Sequence, residues 1–334
     1  MRAIEQRGYG DPREVLHLAD VPVPAFGADQ VLVRVYASSA NPYDWHLICG
    51  EPTLMRAQLG GIRGPRRIVG ADLAGVVEGL GSGVRGLSVG DEVYGFADGA
   101  FAEYVAAPQG RVARKPTNLT FAQAAAVPLG AITALQGLRH ARVAAGQHVL
   151  VLGASGGVGT FAVQLAKHAG AQVTGVCSTG RLDLVRGLGA DHVIDYTTQD
   201  PTSGAVRYDL ILQLGGTYSP RALRRVLTPR GTLLQSHGDG SRRLGPLAAM
   251  ASGILLNVVA KQRITQFVAK EDTATLDELR DLIEAGHLRP VIDSQYPLEQ
   301  AAEAVALVKD GRPAGKVVVT IGQRAGRDNT VAAR

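Results

Sequence analysis

Apolar positions in this chain change their period between an early strand-like half and a later alternating one. From Met1 to about Pro116 glycines stand at turns and helical repeat is scarce. Gln30 to Tyr36 is apolar at nearly every position, the pattern of a strand buried on both faces. Gly70 to Glu78 and Gly90 to Phe96 alternate strand residues with glycine turns, and Asn41 to His46 is a polar knot between apolar stretches. From Thr120 to Leu138 Ala and Leu dominate at helical spacing, which predicts a helix from Thr120 that restarts after Pro128 and marks a domain crossing.

Beyond His148, strands and helices alternate. Val149 to Leu152 reads as a buried strand, and Phe161, Leu165 and His168 define a helical face that ends at Gly170. Further strands are expected at Gln172 to Cys177, His192 to Ile194, Tyr208 to Leu212 and Thr232 to Gln235, with helices at Leu182 to Leu188 and Pro220 to Leu227. This alternation predicts parallel βαβ units, hence an α/β fold with a doubly wound sheet. Asp277 to Ala285 and Leu298 to Lys309 read as amphipathic helices and Gly315 to Thr320 as a closing strand, while Gln323 to Arg334 is polar and expected to fray. The apolar run from Leu244 to Ala260 is shorter than the ~20 residues a membrane span needs and carries Pro246, Gly253 and Asn257, so a buried helix is expected.

Composition narrows the class. With 334 residues, 46% hydrophobic and 19% charged, the chain suits about two globular domains of roughly 150 residues each. Two cysteines, Cys49 and Cys177, give no disulfide framework, and the first residues hold no apolar signal core, so a cytoplasmic location is expected. The net charge of +5 comes from arginines scattered along the chain. The small clusters Arg63, Arg66, Arg67 and Arg221, Arg224, Arg225 read as solvated faces, so nucleic acid is not an expected partner.

Candidate chemistry begins between the buried strand and its helix. Ala154-Ser155-Gly156-Gly157-Val158-Gly159 has dinucleotide-fingerprint spacing with alanine in the first glycine's place. Gly156 would let backbone approach a pyrophosphate, Gly159 would let helix pack on strand, and the helix start would attract the anion. An NAD site usually puts a carboxylate on the ribose about 20 residues later. Here the second strand instead ends in Ser178-Thr179 with Arg181 behind, two hydroxyls and a guanidinium that suit a 2′-phosphate, so NADPH is expected over NADH. Asp195-Tyr196 could offer a ring to adenine, and Leu214-Gly215-Gly216 could line the nicotinamide ribose.

Several motifs occur together over nearly the full chain: Asn41-Pro-x-Asp44, Gly70-Ala-Asp-Leu-Ala-Gly-Val-Val77, Gly90-Asp-Glu-Val-Tyr94, Ala124-Ala-Ala-Val-Pro128, the glycine cradle, Leu188-Gly-Ala-Asp-x-Val-Ile-Asp-Tyr196 and Gly315-Lys-Val-Val318. This set resembles the medium-chain dehydrogenase/reductases, and within them the zinc-free quinone oxidoreductase branch, with reticulon-4-interacting-protein-like reductases especially similar. The resemblance implies a GroES-like β-rich domain from residues 1–124 and 267–334 around a Rossmann domain of residues 125–266. It also implies homodimers formed through the cofactor domain, and hydride transfer from NADPH to a quinone or α,β-unsaturated carbonyl.

On matching positions, the resemblance implies Thr133 and Asn41 at the nicotinamide, Ser178 and Arg181 at the 2′-phosphate, Tyr196 at the adenosine, and Phe267 and Lys316 on the far wall of the cleft. Zinc-dependent relatives carry a Cys ligand near positions 38 to 41, a Gly-His-Glu segment where this chain has Gly70-Ala-Asp72, and a four-cysteine lobe. Cys49, Asp72 and His46 do not recover that set, and no metal is expected. Catalytic candidates are Asn41, Tyr43 and Asp44; Asp44 could equally accept hydrogen bonds from loop backbone, and His46 and His237 are further acid candidates. Walls of the substrate pocket are expected from loops around residues 43 to 67 and 238 to 267. Alternatives are an enoyl-thioester reductase, a metal-free alcohol dehydrogenase, or a cofactor-dependent binding or regulatory protein with little turnover.

Overall fold

A computed structural model describes residues 1–51, 53, 56, 64–235 and 262–322. Arg63, His237, the apolar run 244–260 and the terminal segment 323–334 lie outside the described residues, as do most of the expected pocket-wall loops.

Six parallel strands form the later sheet: His148–Leu152, Gln172–Cys177, His192–Asp195, Tyr208–Gln213, Leu227–Gln235 and Arg263–Gln266. Their spatial order is third, second, first, fourth, fifth, sixth, the doubly wound order in which the chain reverses direction beside the first strand. Periodicity explains the unbroken apolar run: Val149 and Val151 join the core on one face, Leu150 and Leu152 the core on the other. Helices Gly159–His168, Leu182–Gly187 and Pro220–Arg224 make crossovers. Two features of this sheet differ from expectation. The last of these helices stops at Arg224, because Leu227 already pairs with Tyr208 and starts the fifth strand. The sixth strand, Arg263–Gln266, carries too few apolar residues to stand out in the sequence.

The β-rich part holds a seven-stranded sheet and a three-stranded one. Its long central strand, Gln30–Ala40, pairs with Asp72–Leu80, Tyr104–Pro108 and, from the far end of the chain, Lys316–Thr320. The register Val317↔Ala40 is what sets Lys316 beside Asn41. Thr120 starts the crossing as expected: its Oγ1 accepts the Gln123 N–H at 3.2 Å while Gln123 Oε1 accepts the Thr120 N–H at 3.0 Å. The helices Phe121–Ala125 and Pro128–His140 follow.

Asn41 to His46 is the largest local departure. It is a helix, Pro42–Cys49, with Asn41 at the N-cap and proline in the first turn. Asp44, at the third helical position, accepts the Asn41 N–H at 2.8 Å, so its backbone partner is a helix start and not a loop.

Candidate active site

The cradle is built by close backbone contact. Gly153 turns the chain out of the first strand at φ +81°, and a Cβ on Gly159 would lie 2.1 Å from Gly153 O, a distance no side chain tolerates. Only glycine at 159 lets the helix Gly159–His168 begin directly above the strand. No side chain caps that helix start. A Cβ on Gly156 would meet no protein atom closer than 3.4 Å, because Gly156 borders a cavity of about 520 Å³.

That cavity gathers most of the expected cofactor residues. Ser155, Gly156, Gly157, Val158 and Gly159 form its floor, with Leu214 and Gly215 from the fourth strand's end. Ser178, Arg181, Tyr196, Asn41 and Lys316 also border it. Gly315 N donates to Ser155 O at 2.8 Å, so the β-rich part closes directly onto the cradle.

Other expected residues stand elsewhere. Ala154 is fully buried and gives its N–H to Val176 O, so it packs beneath the cradle and does not border the cavity. Thr133 is half-buried one turn beyond Gly130, which does border it. Phe267 packs on Gly137 and against the His140 ring, at 5.6 Å between centroids, outside the cavity. Tyr43 and Asp44 are neighbours of the cavity residues Asn41 and Pro42 but do not border it themselves. Thr179 also departs from its expected part, since its hydroxyl is donated to Asp195 Oδ2 at 2.6 Å.

Sequence reasoning missed the loop 308–313. Val308, Gly311, Arg312 and Pro313 border the cavity, and Arg181 Nη2 donates to Arg312 O at 3.3 Å. The only sequence signal was a turn-like Asp310-Gly-Arg-Pro-Ala-Gly315 before the closing strand. Arg181, Arg312 and Lys316 thus give the cavity wall three cations, paired with Asp293 at 3.9 Å, Asp310 at 2.6 Å and Asp72 at 3.2 Å, while no carboxylate itself borders the cavity among the described residues. Such a wall fits a ligand with several phosphate charges.

The Asn41 end is a buried polar cluster. Asp72, with no exposed surface, accepts Ser39 Oγ at 2.5 Å, Asn41 Nδ2 at 3.0 Å and Lys316 Nζ at 3.2 Å on Oδ2, and Leu129 N at 3.0 Å on Oδ1. Lys316 Nζ also donates to Asn41 Oδ1. Burial, then the negative charge of Asp72, pushes the Asp44 carboxyl up to about 7. Partial burial raises the Tyr43 phenol, helped by Asp98, Glu271 and Asp44. His46 is turned toward Glu51 O at 3.1 Å and burial lowers its pKa.

These residues do not fit a catalytic zinc. Asp72 is saturated by four donors, His46 serves a backbone carbonyl, and no group of three or more His, Cys, Asp or Glu side chains converges among the described residues.

Residues 27–117 match the alcohol dehydrogenase GroES-like domain, and residues 188–319 match the zinc-binding dehydrogenase family. A 2-methylene-furan-3-one reductase from Solanum lycopersicum is 34% identical, over 96% of this chain and 79% of the relative. The chain belongs to the quinone oxidoreductase branch of the medium-chain dehydrogenase/reductases. Another branch relative, a chloroplastic NADPH-dependent alkenal/one oxidoreductase from Arabidopsis thaliana, is 33% identical over the same shares. The quinone oxidoreductase from Coxiella burnetii superposes with a TM-score of 0.86 at 28% identity, covering 96% of this chain and 99% of that one.

Proposed function

We propose that this protein is a zinc-independent, NADPH-dependent reductase of quinones or α,β-unsaturated carbonyls. The observation that carries it is the cavity wall of three cations without a carboxylate, in a chain whose relatives include an NADPH-dependent alkenal/one oxidoreductase. NADPH, when bound, supplies the hydride. The cradle 155–159 holds the pyrophosphate on backbone N–H groups and the helix start. Ser178, Arg181 and Arg312 bind the 2′-phosphate by charge-assisted hydrogen bonds, Tyr196 covers the adenosine, and Leu214 and Gly215 line the riboside. Asn41 orients the nicotinamide end, with Asp44 fixing the turn that carries it and Tyr43 facing the substrate.

A conjugated carbonyl suits this site chemically. Its reduction needs proximity and orientation, whereas alcohol oxidation needs an electrophile to stabilise an alkoxide, and the Asp72 cluster has no free ligand set to hold one. Solvent supplies the final proton. The proposal includes division near residues 124 and 266, a homodimer paired through the cofactor domain, and a cytoplasmic location. Cys49 and Cys177, free and buried, suit a reducing compartment, and no described helix is long and apolar enough to cross a membrane.

NADPH consumption across a panel of quinones, enones and enoyl thioesters, with metal analysis of the same preparation, tests the reading. Turnover of quinones or enones without bound zinc is the expected result. Activity confined to enoyl thioesters, or dependent on zinc, would replace it.

A further inference from the structure

A buried ammonium borders the cavity beside Asn41. Lys316 opens the closing strand Lys316–Thr320, and its side chain is 3% exposed. Its stem crosses the cradle: a Cβ on Gly157 would lie 3.1 Å from Lys316 Cδ. Beyond the cradle, Nζ reaches Asn41 Oδ1 and, at 3.2 Å, Asp72 Oδ2. An ammonium has three N–H donors. Two are accounted for, the third has no partner among the described residues, and Lys316 borders the cavity.

Asp72 determines what this group can do. Taking the proton from Lys316 would leave a fully buried carboxylate without its cation, with Asp44 buried nearby. The position of Lys316 is also fixed, because the same carboxylate holds Asn41, Ser39 and the Leu129 N–H at the start of the helix Pro128–His140. A donor fixed before the reaction and shielded from water stabilises a developing oxyanion far more than a mobile surface lysine would.

We propose that Lys316 stabilises the substrate oxyanion formed on hydride transfer, a role that rests on the reductase reading above. Hydride brings a hydrogen and two electrons to the β-carbon, leaving the cofactor oxidised. The former alkene pair shifts to join the α-carbon to the carbonyl carbon, and the carbonyl pair becomes the oxyanion. The free Lys316 N–H donates a hydrogen bond to that oxygen and keeps its proton; solvent then protonates the α-carbon. With a quinone the same bond stabilises the hydroquinone anion. Asn41 and Asp72 act as positioning residues.

The test uses full-length wild type, Lys316→Met and Lys316→Arg. A nitrophenol bound with NADP⁺ mimics the oxyanion, and its absorbance reports ionisation without turnover. The bound phenol is expected to ionise at least about one pH unit lower in wild type than in Lys316→Met. Single-turnover hydride transfer at saturating NADPH should fall about 100- to 1000-fold in Lys316→Met and less in Lys316→Arg, while NADPH affinity by fluorescence titration changes less than about 10-fold. Unchanged phenol ionisation and hydride transfer, or a loss confined to NADPH affinity, would overturn the proposal. If Lys316→Met does not fold, Asp72→Asn/Lys316→Met removes both buried charges and carries the same measurements. Failure of the reductase reading looks different: wild type would then oxidise NADPH with no quinone or enone.

Discussion

Asp44 Oδ2 accepts the backbone N–H of Asn41 at 2.8 Å, so one buried carboxyl holds the helix turn that delivers Asn41 to the cavity. The Asn41 side chain is drawn away from capping its own helix, with Nδ2 on Asp72 and Oδ1 on Lys316. Because burial and Asp72 raise the folded pKa of Asp44 from 3.8 to about 7, the folded state holds this proton more tightly than the unfolded chain. Its stabilising contribution is complete at acid pH and is lost as pH rises through 7. Relative to Asp44→Asn, wild type should lose about 2–3 kcal/mol between pH 5 and pH 8. Urea unfolding of both proteins at those pH values checks this; parallel pH profiles would refute it.

Cofactor selection should depend on Arg181 and little on Thr179. Arg181→Ala removes a cavity cation and should weaken NADPH about 10- to 100-fold, with NADH changed less than about 3-fold. The Thr179 hydroxyl is committed to Asp195, so Thr179→Val should change the NADPH-to-NADH preference by less than about 3-fold. Dissociation constants for both cofactors decide the matter. Equal losses for NADPH and NADH in Arg181→Ala would remove the 2′-phosphate assignment.

Two glycines one strand apart should respond oppositely to alanine. A Cβ on Gly159 would collide with the Gly153 backbone, so Gly159→Ala should destabilise by at least about 3 kcal/mol or prevent folding. At Gly180 a Cβ meets nothing within 4 Å, and Gly180→Ala should stay within about 1 kcal/mol of wild type. Thermal unfolding of the two variants provides the comparison.

Tyr94 anchors the helix Thr273–Glu284 from inside the core, its hydroxyl donating to Leu276 O at 2.6 Å with no exposed surface. Leu276 O keeps its helical backbone partner in Tyr94→Phe, so loss of this second hydrogen bond should cost about 0.5–1.5 kcal/mol. Neither Tyr94 nor Leu276 borders the cavity, so kcat should stay within about 2-fold. A large fall in kcat at full folding would show that this helix reaches the chemistry.

Much of the cofactor half was legible because its signals are local. The run Val149 to Leu152 must be buried on both faces, Gly159 must be glycine, and Thr120 with Gln123 spells a helix start. Asn41-Pro-x-Asp44 carried an equally local signal, a cap residue, a proline and a reciprocal carboxylate, which reads as a helix once the polar residues are taken as a cap.

The sequence by itself determined the alternating strands and helices, the glycine cradle, the missing carboxylate after the second strand and the family motifs. Each depends on residues within a few positions of one another, where backbone sterics and periodicity act. Tertiary structure alone decided the site's charges. Lys316 reaches Asn41 because the closing strand pairs with a strand nearly three hundred residues earlier in the chain. Arg312 meets Arg181 across 131 positions, Thr179 is diverted to Asp195, and Asp72 gathers four donors from three segments. Electrostatic partners are set by distance in space, which sequence spacing does not encode.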